Sequence, residues 1–158
     1  MRIVLAEDQT LLRGALATLL KLEHDIDVVA EAADGVQALA MVRTHAPDIL
    51  LTDIEMPGLS GLDVASQLKL EASETRVVII TTFARGGYLR RALDAGVRGY
   101  LLKEMPVEKL AEALRRVQAW LVMAPLFVFI YLPVLTLMLF SFHAGQVPVP
   151  PFEGPSLE

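Results

Sequence analysis

"DILLTDIEMPGLSGLDVASQLKL", residues 48–70, decides how this chain folds. It opens on the short apolar run "DILLT" (48–52) and passes through Asp53, in "TDIEMPGLSG". It then enters a helical pattern with Leu62, Ala65 and Leu68 on one stripe. A short, nearly continuous apolar run suits a strand buried on both faces, as in a parallel sheet. The stripe after it suits a helix packed back onto that sheet. The piece to look for elsewhere is therefore a strand, a polar loop and a helix.

Working outward, the same piece recurs. "RIVLA" (2–6), "DVVAE" (27–31), "RVVIIT" (76–81) and "RGYLL" (98–102) are the other strand-like runs. Between and after them lie helical stripes: Leu11, Leu12, Ala15, Leu16, Leu19 and Leu20; then Val36, Leu39 and Ala40; then Leu89, Ala92 and Leu93. Val107, Leu110, Leu114 and Val117 make the last, with Pro106 well placed at its first turn. Five strand–helix alternations imply an α/β fold with a doubly wound, five-stranded parallel sheet. In such folds ligands bind outside the carboxyl ends of the strands.

Those ends carry a consistent chemistry. Glu7 and Asp8 follow the first strand, Asp53 the third, Thr81 and Thr82 close the fourth, and Lys103 follows the fifth. Any one of them alone reads as an ordinary loop residue or helix cap. Together they place three carboxylates, a hydroxyl and an ammonium at one edge of the sheet. Clustered carboxylates repel, and one rises in pKa unless a cation intervenes. Oxygen-only ligands suit Mg²⁺. A carboxylate beside such an ion can attack phosphorus to form an acyl phosphate, while Lys103 and Thr81 suit the phosphoryl oxygens. The site reads as a phosphoacceptor. A phosphatase working through an aspartyl-phosphate is a second reading, since Glu55 stands two residues after Asp53.

At this point a resemblance becomes plain. "VLAED" (4–8), "LLTDIEMPGLSGLD" (50–63), "VVIITTFA" (77–84) and "AGVRGYLLKE" (95–104) occur in order and at the right spacing. Residues 1–118 resemble a receiver domain of the bacterial two-component response regulators, closest in wording to those that carry a helix-turn-helix output domain. The resemblance implies a flavodoxin-like sheet of order 2-1-3-4-5, with Asp53 as the phosphorylated residue. It implies Mg²⁺ held by Asp8 and Asp53, by Glu7 mainly through water, and by the Glu55 backbone carbonyl. Thr81 and Lys103 would contact the phosphoryl group, and Thr81 with Tyr100 would form the conformational switch. The implied partner is a sensor histidine kinase, with self-association left open, and the only catalysis expected is of the domain's own phosphorylation and dephosphorylation. Two departures stand out: Glu7–Asp8 replaces the Asp–Asp pair of many receivers, and Glu104 stands where many carry a cis proline, with Pro106 nearby.

The bulk composition divides the chain near residue 119. All 14 Lys and Arg lie before that point with 17 of the 19 acidic residues, so the front part is weakly acidic. That argues against a nucleic-acid surface, which needs a basic patch, and no helix-turn-helix follows in these 158 residues. No nucleic-acid partner is expected of this chain. The absence of Cys excludes disulfides and thiolate metal sites.

From Ala119 to Phe142 there are 24 residues without Asp, Glu, Lys, Arg or His. As a helix they would extend about 36 Å, enough for a ~30 Å hydrocarbon core. Trp120 opens the run, Pro125 and Pro133 interrupt it, and Lys109, Arg115 and Arg116 precede it with no basic residue after it. The expected organisation is a receiver over 1–118, a transmembrane helix over 119–142 and a Pro-rich tail over 143–158. By the positive-inside rule the receiver would be cytoplasmic, tethered to the bacterial inner membrane. Residues 124–158 also resemble the first membrane helix and following loop of ABC-transporter permeases of the polyamine-uptake kind. A permease fragment fused to a receiver, or a chimeric product in which only the receiver works, are therefore further readings. One helix alone cannot form a transport path.

Overall fold

The computed structural model describes the backbone of residues 1–82 and 86–143, and side chains over the same ranges except 120–122, 126, 130, 133–135 and 137–143. Five strands, β1 (Arg2–Ala6), β2 (Asp27–Ala32), β3 (Ile49–Thr52), β4 (Arg76–Thr81) and β5 (Gly99–Leu102), alternate with five helices. These are α1 (Thr10–Lys21), α2 (Gly35–His45), α3 (Gly61–Leu70), α4 (Gly86–Asp94) and α5 (Val107–His143). The strands pair in parallel in the order β2-β1-β3-β4-β5. Order and strand number are those expected, and the doubly wound reading holds.

Each sheet face has its own core, because alternate strand residues point to opposite sides. Val4, Leu50, Val77 and Ile79 face α2, α3 and α4 with Leu39, Val42, Leu62, Ala65 and Leu68. Ile3, Leu5, Ile49, Leu51, Val78 and Ile80 face α1 and α5 with Leu16, Leu20, Leu110 and Leu114. Strands buried on both faces explain why the runs read as continuously apolar.

Helix phase is where the sequence reading needs correction. In α1 the buried residues are Leu16, Ala17 and Leu20, while Leu11 is 91% and Leu19 41% exposed. The expected stripe was set one residue out of phase; the helix turns small Ala17 inward, where α1 packs on the sheet. In α2, Gly35, Ala38, Leu39 and Val42 are buried, and Val36 and Ala40 face outward. In α4 only Ala92 is buried, and Leu89 and Leu93 are exposed. The α3 stripe is as expected. Strand ends shift by a residue: β3 starts at Ile49, because Asp48 instead accepts a hydrogen bond from the Arg2 amide at 2.7 Å.

The chain divides into two compact units, Met1–Trp120 and Leu121–Glu158. Helix α5 does not stop near Gln118: its backbone stays helical to His143, across the point where the composition changes. No Gly or polar stop signal stands between Val117 and Phe142 apart from the tolerated Pro125 and Pro133. Among the described residues no helix is long and apolar enough to cross a membrane. The expectation of a membrane span over 119–142 is thus not met there, and most of its side chains, with the tail beyond His143, lie outside the described residues. Within the second unit, described side chains such as Phe127, Phe129, Tyr131 and Leu132 are exposed, and the rings of Phe127 and Tyr131 stack at 5.4 Å.

Candidate functional site

The carboxyl edge of the sheet gathers the singled-out residues, and the backbone explains how. Asp53 leaves β3 with its amide bonded to the Ala6 carbonyl at 2.9 Å, which keeps the ends of β1 and β3 side by side. The Glu7 amide does the same to Ala32 at 3.0 Å. The loop after Asp53 then folds tightly enough that a Cβ on Gly61 would lie 2.0 Å from the Asp53 carbonyl oxygen. Gly58, with φ +75°, supplies the left-handed turn that brings α3 back. This loop therefore sets how closely α3 approaches the acidic residue. Ser60 and Asp63 form a reciprocal capping box at the start of α3.

At the centre, Lys103 Nζ lies 2.8 Å from Asp53 Oδ2 and 2.7 Å from Glu7 Oε2. Asp53 Oδ1 accepts from the Ile54 amide at 2.7 Å. Lys103 reaches this point because its own amide donates to the Thr81 carbonyl at 2.8 Å, fixing the end of β5 beside β4. Glu7 is fully buried, Asp53 and Thr81 nearly so, and Asp8 is exposed. One ligand oxygen from each of Glu7, Asp8 and Asp53 lies within 4.8 Å of the others. The peptide bonds are all trans among the described residues, including that before Glu104.

Burial pushes the Glu7 carboxyl above its ordinary range, against the opposing hydrogen bond and charge of Lys103. For Lys103 desolvation is the largest single influence and acts downward. Its hydrogen bonds to Asp53 and Glu7, with their charges, outweigh it, and the ammonium is held above its usual range. The site thus keeps its cation and resists a full negative charge on Glu7. Among the described residues Glu7 Oε2 meets Lys103 Nζ, at 2.7 Å, and no other donor. A buried carboxylate so lightly satisfied, beside two further carboxylates and no Cys or His, fits a hard divalent cation.

Thr81 ends β4 inside the site, and Tyr100 lies half-buried on β5. Burial raises the Tyr100 hydroxyl, and the nearby Tyr88 and Asp53 act in the same direction. Glu55 is exposed and accepts from Tyr88 Oη at 3.4 Å. The structure thus brings Glu7, Asp8, Asp53, Thr81 and Lys103 to one edge, with Tyr100 and Glu55 flanking it. Two neighbours escaped the sequence reading. Tyr88 sits on α4, and Arg13 on α1 donates from Nη1 to the Glu7 carbonyl at 2.6 Å. For Arg13 a signal existed: a basic residue one turn into the helix that follows an acidic pair.

Comparison with known proteins bears on the same region. A family model described as the response regulator receiver domain matches residues 3–115. The chain is 50% identical over 115 residues to the transcriptional regulatory protein DesR of Bacillus subtilis, covering 73% of this chain and 57% of that protein. It is 42% identical over 118 residues to the oxygen regulatory protein NreC of Staphylococcus epidermidis, covering 74% and 54%. The chain spans little more than half the length of these curated relatives. Among solved structures, a LuxR-family DNA-binding response regulator from Staphylococcus aureus matches at TM-score 0.71 and 36% identity, over 73% of this chain and 97% of that one. The receiver domain of the putative response regulator NarL from Mycobacterium tuberculosis matches at 0.71 and 33%, over 74% and 95%.

Proposed function

The chain belongs to the response regulator receiver family, and from that premise we propose that it accepts a phosphoryl group on Asp53 from a sensor histidine kinase. It is the receiver of a two-component system. The observation that carries the assignment is Lys103 Nζ, 2.8 Å from Asp53 Oδ2 and 2.7 Å from Glu7 Oε2 at one buried point.

In the proposed step an Asp53 carboxylate oxygen forms a bond to phosphorus as the P–N bond of the donor's phosphohistidine breaks, and the departing imidazole takes up a proton. Lys103 neutralises the carboxylate before transfer and the phosphoryl oxygens after it. The Ile54 amide on Oδ1 holds the carboxylate plane fixed. Glu7, Asp8, Asp53 and the Glu55 backbone carbonyl would hold Mg²⁺, which when bound supplies positive charge to the phosphoryl oxygens. The chain acts on no second substrate; its site forms and hydrolyses only its own acyl phosphate. The Thr81 hydroxyl would bond a phosphoryl oxygen and draw its loop inward, with Tyr100 responding as the switch.

The test is labelling with acetyl phosphate and Mg²⁺. Hydroxylamine-sensitive label is expected on the wild type and not on Asp53→Asn; label that persists in the variant would sink the assignment. Thr81→Ala should still bind Mg²⁺ and take up phosphate, while the ring environment of Tyr100, followed by NMR, ceases to respond.

The second unit carries a separate proposal, of a membrane tether over 119–142 that leaves the receiver in the cytoplasm. It is supported by the 24 uncharged residues, by the basic residues that precede and do not follow them, and by exposed Phe127, Phe129 and Leu132. The receiver match ends at residue 115 and does not bear on the permease-like wording of 124–158.

A further inference from the structure

The loop carrying Glu7 and Asp8 must keep two like charges close together, and the N-cap of α1 gives it no side-chain support. Gln9, in the N-cap position, makes no side-chain cap bond. The Gln9 amide donates to Glu7 Oε1 at 3.2 Å, an oxygen of the cluster's own carboxylate. What grips the loop from behind is Arg13. Its Nη1 donates to the Glu7 carbonyl at 2.6 Å, and its amide donates to the Gln9 carbonyl at 2.9 Å. The guanidinium is anchored in turn: its side chain is 16% exposed, and Nε lies 3.9 Å from Glu31 Oε2 on β2. Glu31 also pairs with Lys21 at 3.8 Å. The planar fork of an arginine can hold a carbonyl and a carboxylate at once.

We propose that Arg13 is a positioning residue for the divalent-cation site, fixing the Glu7–Asp8 peptide so that both carboxylates stay turned toward Asp53. This rests on the Mg²⁺ reading given above. Mutating a group that orients a metal ligand typically costs about 10- to 100-fold in metal affinity. The alternative effect has the opposite sign. A cation near the site repels Mg²⁺ through space, so losing its charge alone would tighten binding.

The test uses the full chain in mild detergent, with MgCl₂ titrated by calorimetry and amide hydrogen exchange followed without metal. Arg13→Met is expected to weaken Mg²⁺ binding about tenfold and to speed exchange at Gln9. Arg13→Lys, which keeps charge and a donor, should restore most of the affinity. Unchanged or tighter Mg²⁺ binding in Arg13→Met, or unchanged exchange at Gln9, overturns the proposal. If Arg13→Met does not fold, Arg13→Gln carries the same two readings with the same expected direction. Asp8→Asn separates the levels. Full Mg²⁺ affinity in that variant removes the metal site itself, whereas its loss there with full affinity in Arg13→Met removes only the role of Arg13.

Discussion

Arg115 grips Asp25 in a two-point fork across 90 residues of sequence, Nε to Oδ2 at 2.8 Å and Nη2 to Oδ1 at 2.7 Å. Nη2 also reaches Glu23 at 2.6 Å, and the Met1 ammonium donates to the Asp25 carbonyl at 2.8 Å. The fork ties the receiver part of α5 to the α1–β2 turn and to the chain's first residue. It closes the first unit just before the charge-free run begins.

That pair has a pH signature. The Arg115 guanidinium holds the Asp25 carboxyl at about 2, below its ordinary 3.8. A depressed carboxyl contributes stability that is present above its unfolded pKa and lost as pH falls through its folded one. The window here runs from about pH 4 to pH 2. Thermal melting of wild type and Asp25→Asn should therefore differ most at pH 5 and above, and converge by pH 2. A gap that stays constant through the window would show the pair to be inert, as many exposed ion pairs are.

Gly61 is set by packing rather than by backbone angle. An added Cβ would meet the Asp53 carbonyl oxygen at 2.0 Å, so Gly61→Ala has to push α3 or the Asp53 loop away. Overpacking of this kind costs about 1–3 kcal/mol, measurable as a lower urea midpoint. Uptake from acetyl phosphate should fall as well, because the loop that moves carries the acceptor. Gly86→Ala, with open space around its Cβ position, is the control that leaves both unchanged.

How much of this was legible beforehand follows from what each feature depends on. Site residues sit directly after strands, and strands buried on both faces announce themselves as apolar runs, so Asp53 and Lys103 could be placed from sequence. Helix phase depends on which small residue the sheet lets in. Ala17 turns inward where larger Leu11 and Leu19 do not, and a search for large apolar side chains misses that; on α4 the expected Ala92 is buried but the flanking Leu89 and Leu93 are not. The division at Gln118 was read from a loss of charge, which does not stop a helix, so the sequence did not show that α5 runs on to His143. Arg13 stands one turn after the acidic pair, which the sequence shows, but its hold on the Glu7 carbonyl depends on how the loop folds, which residue type does not record.

Glu7 supplies a prediction in which two effects oppose. Burial raises its carboxyl above 4.5, so the stability it contributes is present below that value and is lost as pH rises through the folded pKa. Without metal, Glu7→Gln should melt close to wild type at pH 4 and increasingly above it toward pH 8. With saturating Mg²⁺ the order should reverse, because the ion stabilises by binding only the folded state and the variant has lost a charged oxygen ligand. A variant that stays below wild type at every pH without Mg²⁺ would mean that the Lys103 ion pair outweighs the burial.

The last prediction concerns the change of composition at Ala119. Leu110, Ala111 and Leu114 are the last buried residues of the α1/α5 core, Val117 packs against them, and Arg76 Nη1 donates to Gln118 Oε1 at 3.2 Å. Among the described residues no core residue of either sheet face comes from beyond that point. A chain ending at Gln118 should therefore stay folded and soluble, bind Mg²⁺ and take up phosphate at Asp53. The full chain carries 24 uncharged residues after Gln118, a length that can span a ~30 Å hydrocarbon layer. It should partition into the membrane fraction on cell lysis and be extracted by detergent but not by high salt. Charge attraction is screened by salt, whereas burial of apolar surface is not weakened by it. A full chain that stays monomeric in aqueous buffer would remove the tether. A shortened chain that fails to fold would instead give the residues after Gln118 a part in the receiver's own core.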